Sequence, residues 1–227
     1  MIKDLFSNLH EEVPSRLPQL FFGLILCGIG LAIAYEARLG LNPWDVFHDG
    51  FGKLLGIPIG RAGVLTGFIV LLTWIPLNQK PFIGTILNIL TIGNTQDVVI
   101  FLMPTPESIY MRHIYLYIAT IVFATGVGLY IGAGLGPGPR DGIMTGLAKL
   151  GLSIRSARIG IDFTAFIIGV LLGGSYGYGT IVMVLSVGPI VQYTLNRFDK
   201  GSLYSVSYTH LRAHETEADL VCRLLLE

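Results

Sequence analysis

Residues 39–56 read LGLNPWDVFHDGFGKLLG and residues 135–151 read LGPGPRDGIMTGLAKLG. At an offset of 96, Leu39, Gly40, Pro43, Asp45, Gly50, Lys53 and Leu54 recur as Leu135, Gly136, Pro139, Asp141, Gly146, Lys149 and Leu150. After a shift of one residue, Gly56, Ile59 and Ala62 recur as Gly151, Ile154 and Ala157, Gly84-Thr85-Ile86 as Gly179-Thr180-Ile181, and Gly93 as Gly188. An ordered LGxxPxD match that continues across a whole half of the chain reads as an internal duplication.

Each copy carries the signals that start a helix. Proline suits the first helical position, where its missing N–H has no partner to lose. Asn42 is a good N-cap, and Asp45 falls in the first turn, where a carboxylate meets the partial positive charge of the helix end. Gly138, Pro139 and Asp141 repeat the arrangement. The helices that follow, 43–55 and 139–151, are about a dozen residues long. A helix needs about 20 apolar residues to cross the hydrocarbon core, so these two read as interfacial or re-entrant half-helices.

The rest of the chain is rich in longer apolar stretches. Hydrophobic residues make up 52% and charged residues only 13%, against about a quarter charged in an average soluble domain. That composition excludes disorder and a nucleic-acid binder that relies on basic excess. Two cysteines, Cys27 and Cys222, exclude a disulfide scaffold and a cysteine-based metal cluster. The class that remains is an all-α polytopic membrane protein.

Spans are expected at 17–37, at 62–77 with an extension back through 57–61, and at 81–103, 113–133, 156–174 and 178–197. Three spans per half is an odd number, so two copies must cross in opposite directions. The expected fold is six transmembrane helices as two inverted three-helix repeats, 17–104 and 113–200, each with a short half-helix. Residues 1–16 are polar and form a cytoplasmic segment without the pattern of a signal peptide. With the N-terminus inside, nine lysines and arginines fall on the inner side and four on the outer, which favours both ends inside.

The final stretch breaks the pattern. Residues 205–227, SVSYTHLRAHETEADLVCRLLLE, resemble the translation of a sequencing-library transposase adapter and are read as non-native. Without them, thirteen basic and eleven acidic residues remain.

In its two LGxxPxD segments the chain resembles the YczE/YyaS/YitT group of bacterial integral membrane proteins, over roughly residues 17–200. LGLNPWDVFHDG with Lys53-Leu54-Leu55-Gly56 and LGPGPRDG with Lys149-Leu150-Gly151 carry the likeness. The resemblance implies a multi-pass protein of the inner (cell) membrane with five or six spans, often described as a permease. It brings no established catalytic residues.

Inverted repeats with broken helices are a recurring transporter plan. The leading functional expectation is therefore a secondary transporter or permease of a small solute, possible coupling to protons included. The rival is a non-transporting accessory or assembly protein that docks an enzyme or envelope complex through the basic 140–158 segment. An enzyme is not expected: HExxH and GxSxG motifs are absent, and the glycine-rich 132–138 stretch follows a span rather than a strand. No cofactor or metal is expected, and no nucleic-acid partner.

Ionisable groups inside a span are costly and are usually paired or functional. Asp45, Asp97, Asp141 and Asp162 are the candidate substrate or proton-coupling carboxylates, with Asn88 and Gln96 as polar liners. Asp162 lies one turn from Arg158, and an i,i+4 ion pair is the structural alternative. Gly40, Asn42, Pro43, Gly136, Gly138, Pro139 and Arg140 form the half-helix start motif; Arg140 replaces Trp44 and adds a guanidinium to the second copy. Gly128 and Gly132 have the spacing of close helix packing, with Gly28, Gly30 and Ala34 of the first span as expected partners, and such faces also offer a route to homo-oligomers. Trp74, Tyr110, Tyr115, Tyr176 and Tyr178 read as interface aromatics. His48 and His113 read as ordinary.

Overall fold

The half-helix signals produce half-helices. In the computed structural model, which describes residues 2–201 with side chains from Glu12 onward, Pro43 opens α2 (Pro43–Leu55) and Pro139 opens α6 (Pro139–Lys149). The Asn42 side chain caps α2 by accepting the backbone N–H groups of Trp44 and Asp45 at 3.1 and 3.3 Å. Gly56 ends α2 in the left-handed conformation, with φ +67°.

Six longer helices complete the described residues: α1 (Ile2–Ala37), α3 (Ile59–Trp74), α4 (Ile83–Leu102), α5 (Ile109–Gly132), α7 (Ile154–Leu171) and α8 (Tyr178–Phe198). Each half of the chain thus runs long, short, long, long. The adapter-like segment 205–227, with Cys222, lies outside the described residues.

Among the described residues, four helices are long and apolar enough to cross a membrane: α1 from Glu12, α4, α5 and α8. A fifth is reached if α2 and α3, which bend by 104° at their junction, count as one broken span. Helix α3 has 16 residues, about 24 Å of rise against a hydrocarbon core of about 30 Å. Helix α7 has 18 residues but carries Arg155, Arg158 and Asp162. Phe22, Ile69, Leu72, Phe101, Leu171 and Leu185 are all exposed. So broad an apolar exterior fits lipid, not water.

The centre is the crossing of α1 and α5, where Leu20, Leu24, Cys27 and Leu31 pack on Leu116, Ala119, Phe123 and Val127. Small residues set the approach: a Cβ on Gly23 would meet the Gly126 carbonyl at 2.8 Å, and one on Gly126 would meet the Cys27 backbone nitrogen at 2.7 Å. Helix α4 packs on α1 and α3, and α8 packs on α5. Helix α2 packs on α3 and α7, and α6 packs on α7 and α3.

The two turns before the half-helices share one geometry. Gly40 has φ +117° and Gly136 has φ +115°, a region that L side chains avoid. Leu39, just before the first turn, accepts the Gly179 N–H at 2.7 Å, and Leu135 accepts the Gly84 N–H at 2.8 Å. Thr85 and Thr180, each in the first turn of its helix, accept the N–H groups of Phe82 and Gly177 at 3.3 and 3.2 Å. Each half-helix turn is therefore fixed by the helix start of the other half.

Three expectations change. Helix α1 begins at Ile2 rather than near residue 17; it runs through Pro14 and Pro18, supported by a Glu12–Arg16 ion pair of 2.6 Å one turn apart. The Gly128 and Gly132 faces meet Thr194 and Phe198 of α8 instead of α1, while Gly28 meets Thr95 of α4 and Gly30 meets Phe123 of α5. Trp74 is not an interface aromatic: it is buried, and its indole N–H donates to the Pro139 carbonyl at 2.8 Å. It fits against Gly142, where any Cβ would collide with the ring.

Candidate functional site: a polar cavity between two helix starts

The starts of α2 and α6 meet across one cavity of about 110 Å³. Asn42, Trp44, Asp45 and His48 enter from α2, and Gly138, Pro139 and Arg140 from α6. Asn88 and Gln96 enter from α4, and Tyr130 from α5. Cys27, Leu31, Val70, Ile89 and Phe123 supply apolar wall. Both halves of the chain thus contribute polar groups to the same space.

Of the sequence candidates, Asp45, Asn88, Gln96, Asn42, Gly138, Pro139 and Arg140 line this cavity. Asp45 is buried, hydrogen-bonds the Asn42 amide, and lies 3.3 Å from His48 Nδ1. Asp141 accepts the Gly138 N–H at 3.2 Å and the Tyr130 hydroxyl at 3.3 Å. These bonds place it behind the α6 start, on a second small hollow that it shares with Arg140, Arg158 and Asp162. Arg140 borders both spaces.

Asp162 faces Arg158 at 3.9 Å, and its shorter contact is with the Trp44 indole N–H, which donates to it at 2.8 Å. That bond ties α2 to α7. Asp97 stands apart from the cavity and accepts the backbone N–H groups of Gly60 and Arg61 at 2.7 and 2.9 Å. It caps the start of α3 from the neighbouring helix, where Gly60 and Gly93 bring the two backbones together. Gly40, Pro43 and Gly136 shape the turns.

Among the described residues, three polar side chains in the cavity wall, Asn88, Gln96 and Arg140, make no hydrogen bond to protein. Gln96 is 2% exposed, and its side-chain amide nitrogen makes no hydrogen bond. Among the described residues, the Arg140 guanidinium makes no hydrogen bond and no ion pair, and Asp141, Tyr130, Asp162 and Asp45 are the groups around it. The remaining carboxylates near the site are engaged by protein donors.

Several contributors escaped the sequence reading. His48 looked like a lone histidine, although its position three residues after Asp45 on a helix was the available signal. Tyr130 gave none. Asp49, one turn further along, is buried and accepts Lys53 at 2.8 Å and the Ser175 N–H at 2.7 Å, while Lys53 also reaches the Gly173 carbonyl at 2.9 Å. That clamp holds α2 to the turn before α8. Glu36 is buried and accepts the Thr105 hydroxyl. Among the described residues no three histidines, cysteines or carboxylates come together as a metal site.

Comparison with known proteins gives kinship without an activity. An uncharacterised protein of Haemophilus influenzae is 34% identical over 178 residues, covering 78% of this chain and 82% of that protein. The uncharacterised membrane protein YczE of Bacillus subtilis is 30% identical over 190 residues, covering 82% and 88%. The uncharacterised protein YyaS of the same organism is 21% identical over 174 residues, covering 74% and 87%. No solved structure matches. The family of unknown function DUF6198 matches residues 14–196. With this match and these relatives, the chain belongs to that family, the group of YczE- and YyaS-like membrane proteins.

Proposed function

We propose that the protein is a secondary transporter of a small solute in the bacterial inner membrane, built as two inverted three-span repeats with both ends in the cytoplasm. The observation that carries this reading is the cavity between the α2 and α6 starts, walled by polar side chains of both halves. The matched turns support the repeat: nearly equal φ at Gly40 and Gly136, and reciprocal bonds from Gly179 to Leu39 and from Gly84 to Leu135. Broken or half-length helices around a pseudo-two-fold site are the transporter plan in which binding groups sit where irregular backbone lines a cavity.

In this reading Asp45 and His48 are the proton-coupling pair, because they face the cavity and each other. Asp97 holds the α3 start and Asp162 holds Trp44. The halves also differ in a way that suits alternating access. The first is closed at Gly60 and Gly93, whereas nothing lies within 4 Å of a Cβ built on the equivalent Gly188. Transport then exchanges the two arrangements.

The test is uptake and export profiling of a deletion strain against metabolite mixtures, followed by flux of the identified solute into proteoliposomes. D45N is expected to abolish accumulation driven by a pH gradient while solute exchange continues. Gradient-driven accumulation unchanged in D45N refutes the coupling role, and an unchanged metabolite profile on deletion refutes transport. The accessory-protein reading draws on the exposed Lys149, Arg155 and Arg158 of the α6–α7 region, and a partner lost with their substitution would favour it.

A further inference from the structure

We infer that the cavity selects a small organic anion, a monocarboxylate of about four to six heavy atoms, with its charged end on Arg140 and Gln96. This deepens the transport reading by naming the class of solute its site recognises.

The hydrogen-bonding groups around the cavity differ in whether protein partners satisfy them. Asp45 is engaged by Asn42 and His48, Asp141 by Gly138 and Tyr130, and Asp162 by Trp44. Each of these acceptors already has protein donors. An ammonium or a guanidinium arriving in the cavity would have to compete for them. Among the described groups lining the cavity, those left over are the Arg140 guanidinium and the Asn88 and Gln96 amides, with the Gln96 nitrogen buried in a side chain only 2% exposed. A buried donor without an acceptor is costly. A solute that brings acceptors removes that cost, and a planar carboxylate matches the fork of an arginine.

Nearby groups can complete the recognition. A point beside the Cα of Gly138, where a side chain would begin, lies 3.1 Å from Asp141 Oδ2, 3.3 Å from the Tyr130 hydroxyl and 3.5 Å from Asn88 Nδ2. The absent side chain leaves the Tyr130 hydroxyl and the Asn88 amide close to the start of α6, whose N-terminal field Asp141 already meets, so the charge that holds an anion is that of Arg140. Leu31, Val70, Ile89 and Phe123 offer the other end an apolar wall, which distinguishes an organic anion from a hydrated inorganic one. Size follows from volume. A cavity of about 150 Å³ holds a benzene molecule of six heavy atoms, so about 110 Å³ suits a solute near the size of propionate.

The experiment is calorimetric titration of the full chain in lipid nanodiscs with propionate, its neutral counterpart propionamide, and propylammonium. Propionate is expected to bind at least about tenfold more tightly than propionamide, and propylammonium not to bind. R140Q is expected to lower propionate affinity to the propionamide level, Q96L to weaken it several-fold, and R155Q, on an exposed site away from the cavity, to leave it unchanged. The inference is overturned if propionate does not bind, if propionamide or propylammonium binds as well, if chloride competes equally, or if R140Q binds propionate like the parent. The comparison of three ligands on the unaltered chain decides the matter even where R140Q fails to fold. Binding without flux would leave this assignment standing and remove transport; flux of an amine or sugar without propionate binding would do the reverse.

Discussion

Asp97 shows how a carboxylate in an apolar helix can serve the backbone. Its two oxygens take the Gly60 and Arg61 N–H groups, which are orphan donors at the start of α3. Losing such a cap costs about 1–2 kcal/mol. D97A is therefore expected to lower thermal stability in detergent by that order, while D97N, which keeps one carbonyl acceptor, loses less and transports normally. A large loss of flux in a stable D97N protein would return Asp97 to the coupling machinery. Gln96, one residue earlier, is the opposite case. Its amide is buried without a partner, so Q96L is expected to raise the melting temperature of the ligand-free protein, consistent with a desolvation penalty of about 1–3 kcal/mol. A lowered melting temperature would mean that the amide is satisfied in the resting protein. The sequence flagged Gln96 and Asp97 alike, since polarity within a span is visible there. Which one faces the cavity depends on helix rotation, and the donors that reach Asp97 come from a helix break 36 residues away.

The half-helices were legible because their signals are local. Proline at the first position, a cap before it and an acid in the first turn act within four residues, and the structure starts both helices at the expected proline. Gly40 and Gly136 are needed for the turns that precede them, with φ +117° and +115°. G40A and G136A are each expected to destabilise by roughly 1–2 kcal/mol from backbone strain alone, and by more because a Cβ on Gly40 would meet the Gly177 nitrogen at 2.5 Å and one on Gly136 the Phe82 side chain at 2.9 Å. Wild-type melting temperatures in both variants would contradict the assigned turns. Packing partners were much less legible. GxxxG spacing says that a backbone comes close without saying whose, and Gly128 and Gly132 receive α8 rather than α1. The early start of α1 was hidden for a different reason: residues 1–16 are polar and give no span signal, yet the helix runs from Ile2 through Pro14 and Pro18.

Across the whole molecule the two halves share helix order and turns, but α4 packs on both α1 and α3 whereas α8 packs on α5, and one pair of equivalent glycines marks the difference. Gly93 is closed against Gly60, and Gly188 is open. If transport exchanges the two arrangements, Gly188 must be approached closely in the other state. G188L is then expected to leave the melting temperature unchanged or raised, because leucine favours helix over glycine by up to about 1 kcal/mol, and yet to slow flux severalfold. Unchanged flux in a stable G188L protein would remove the exchange. The matched residues were visible in the sequence because they keep their order over a whole half. The asymmetry was not, since both members of the pair are glycine and only their surroundings differ.

The central claim, that the half-helices enter from opposite faces, is most directly tested by cysteine labelling at equivalent positions. Leu54 and Leu150 end α2 and its counterpart, and both are exposed, at 65% and 71%. With Cys27 and Cys222 replaced by serine, L54C and L150C in intact cells are treated with a membrane-impermeant maleimide. L54C is expected to label from outside and L150C to label only after the cells are opened. Labelling of both positions from the same side would contradict it.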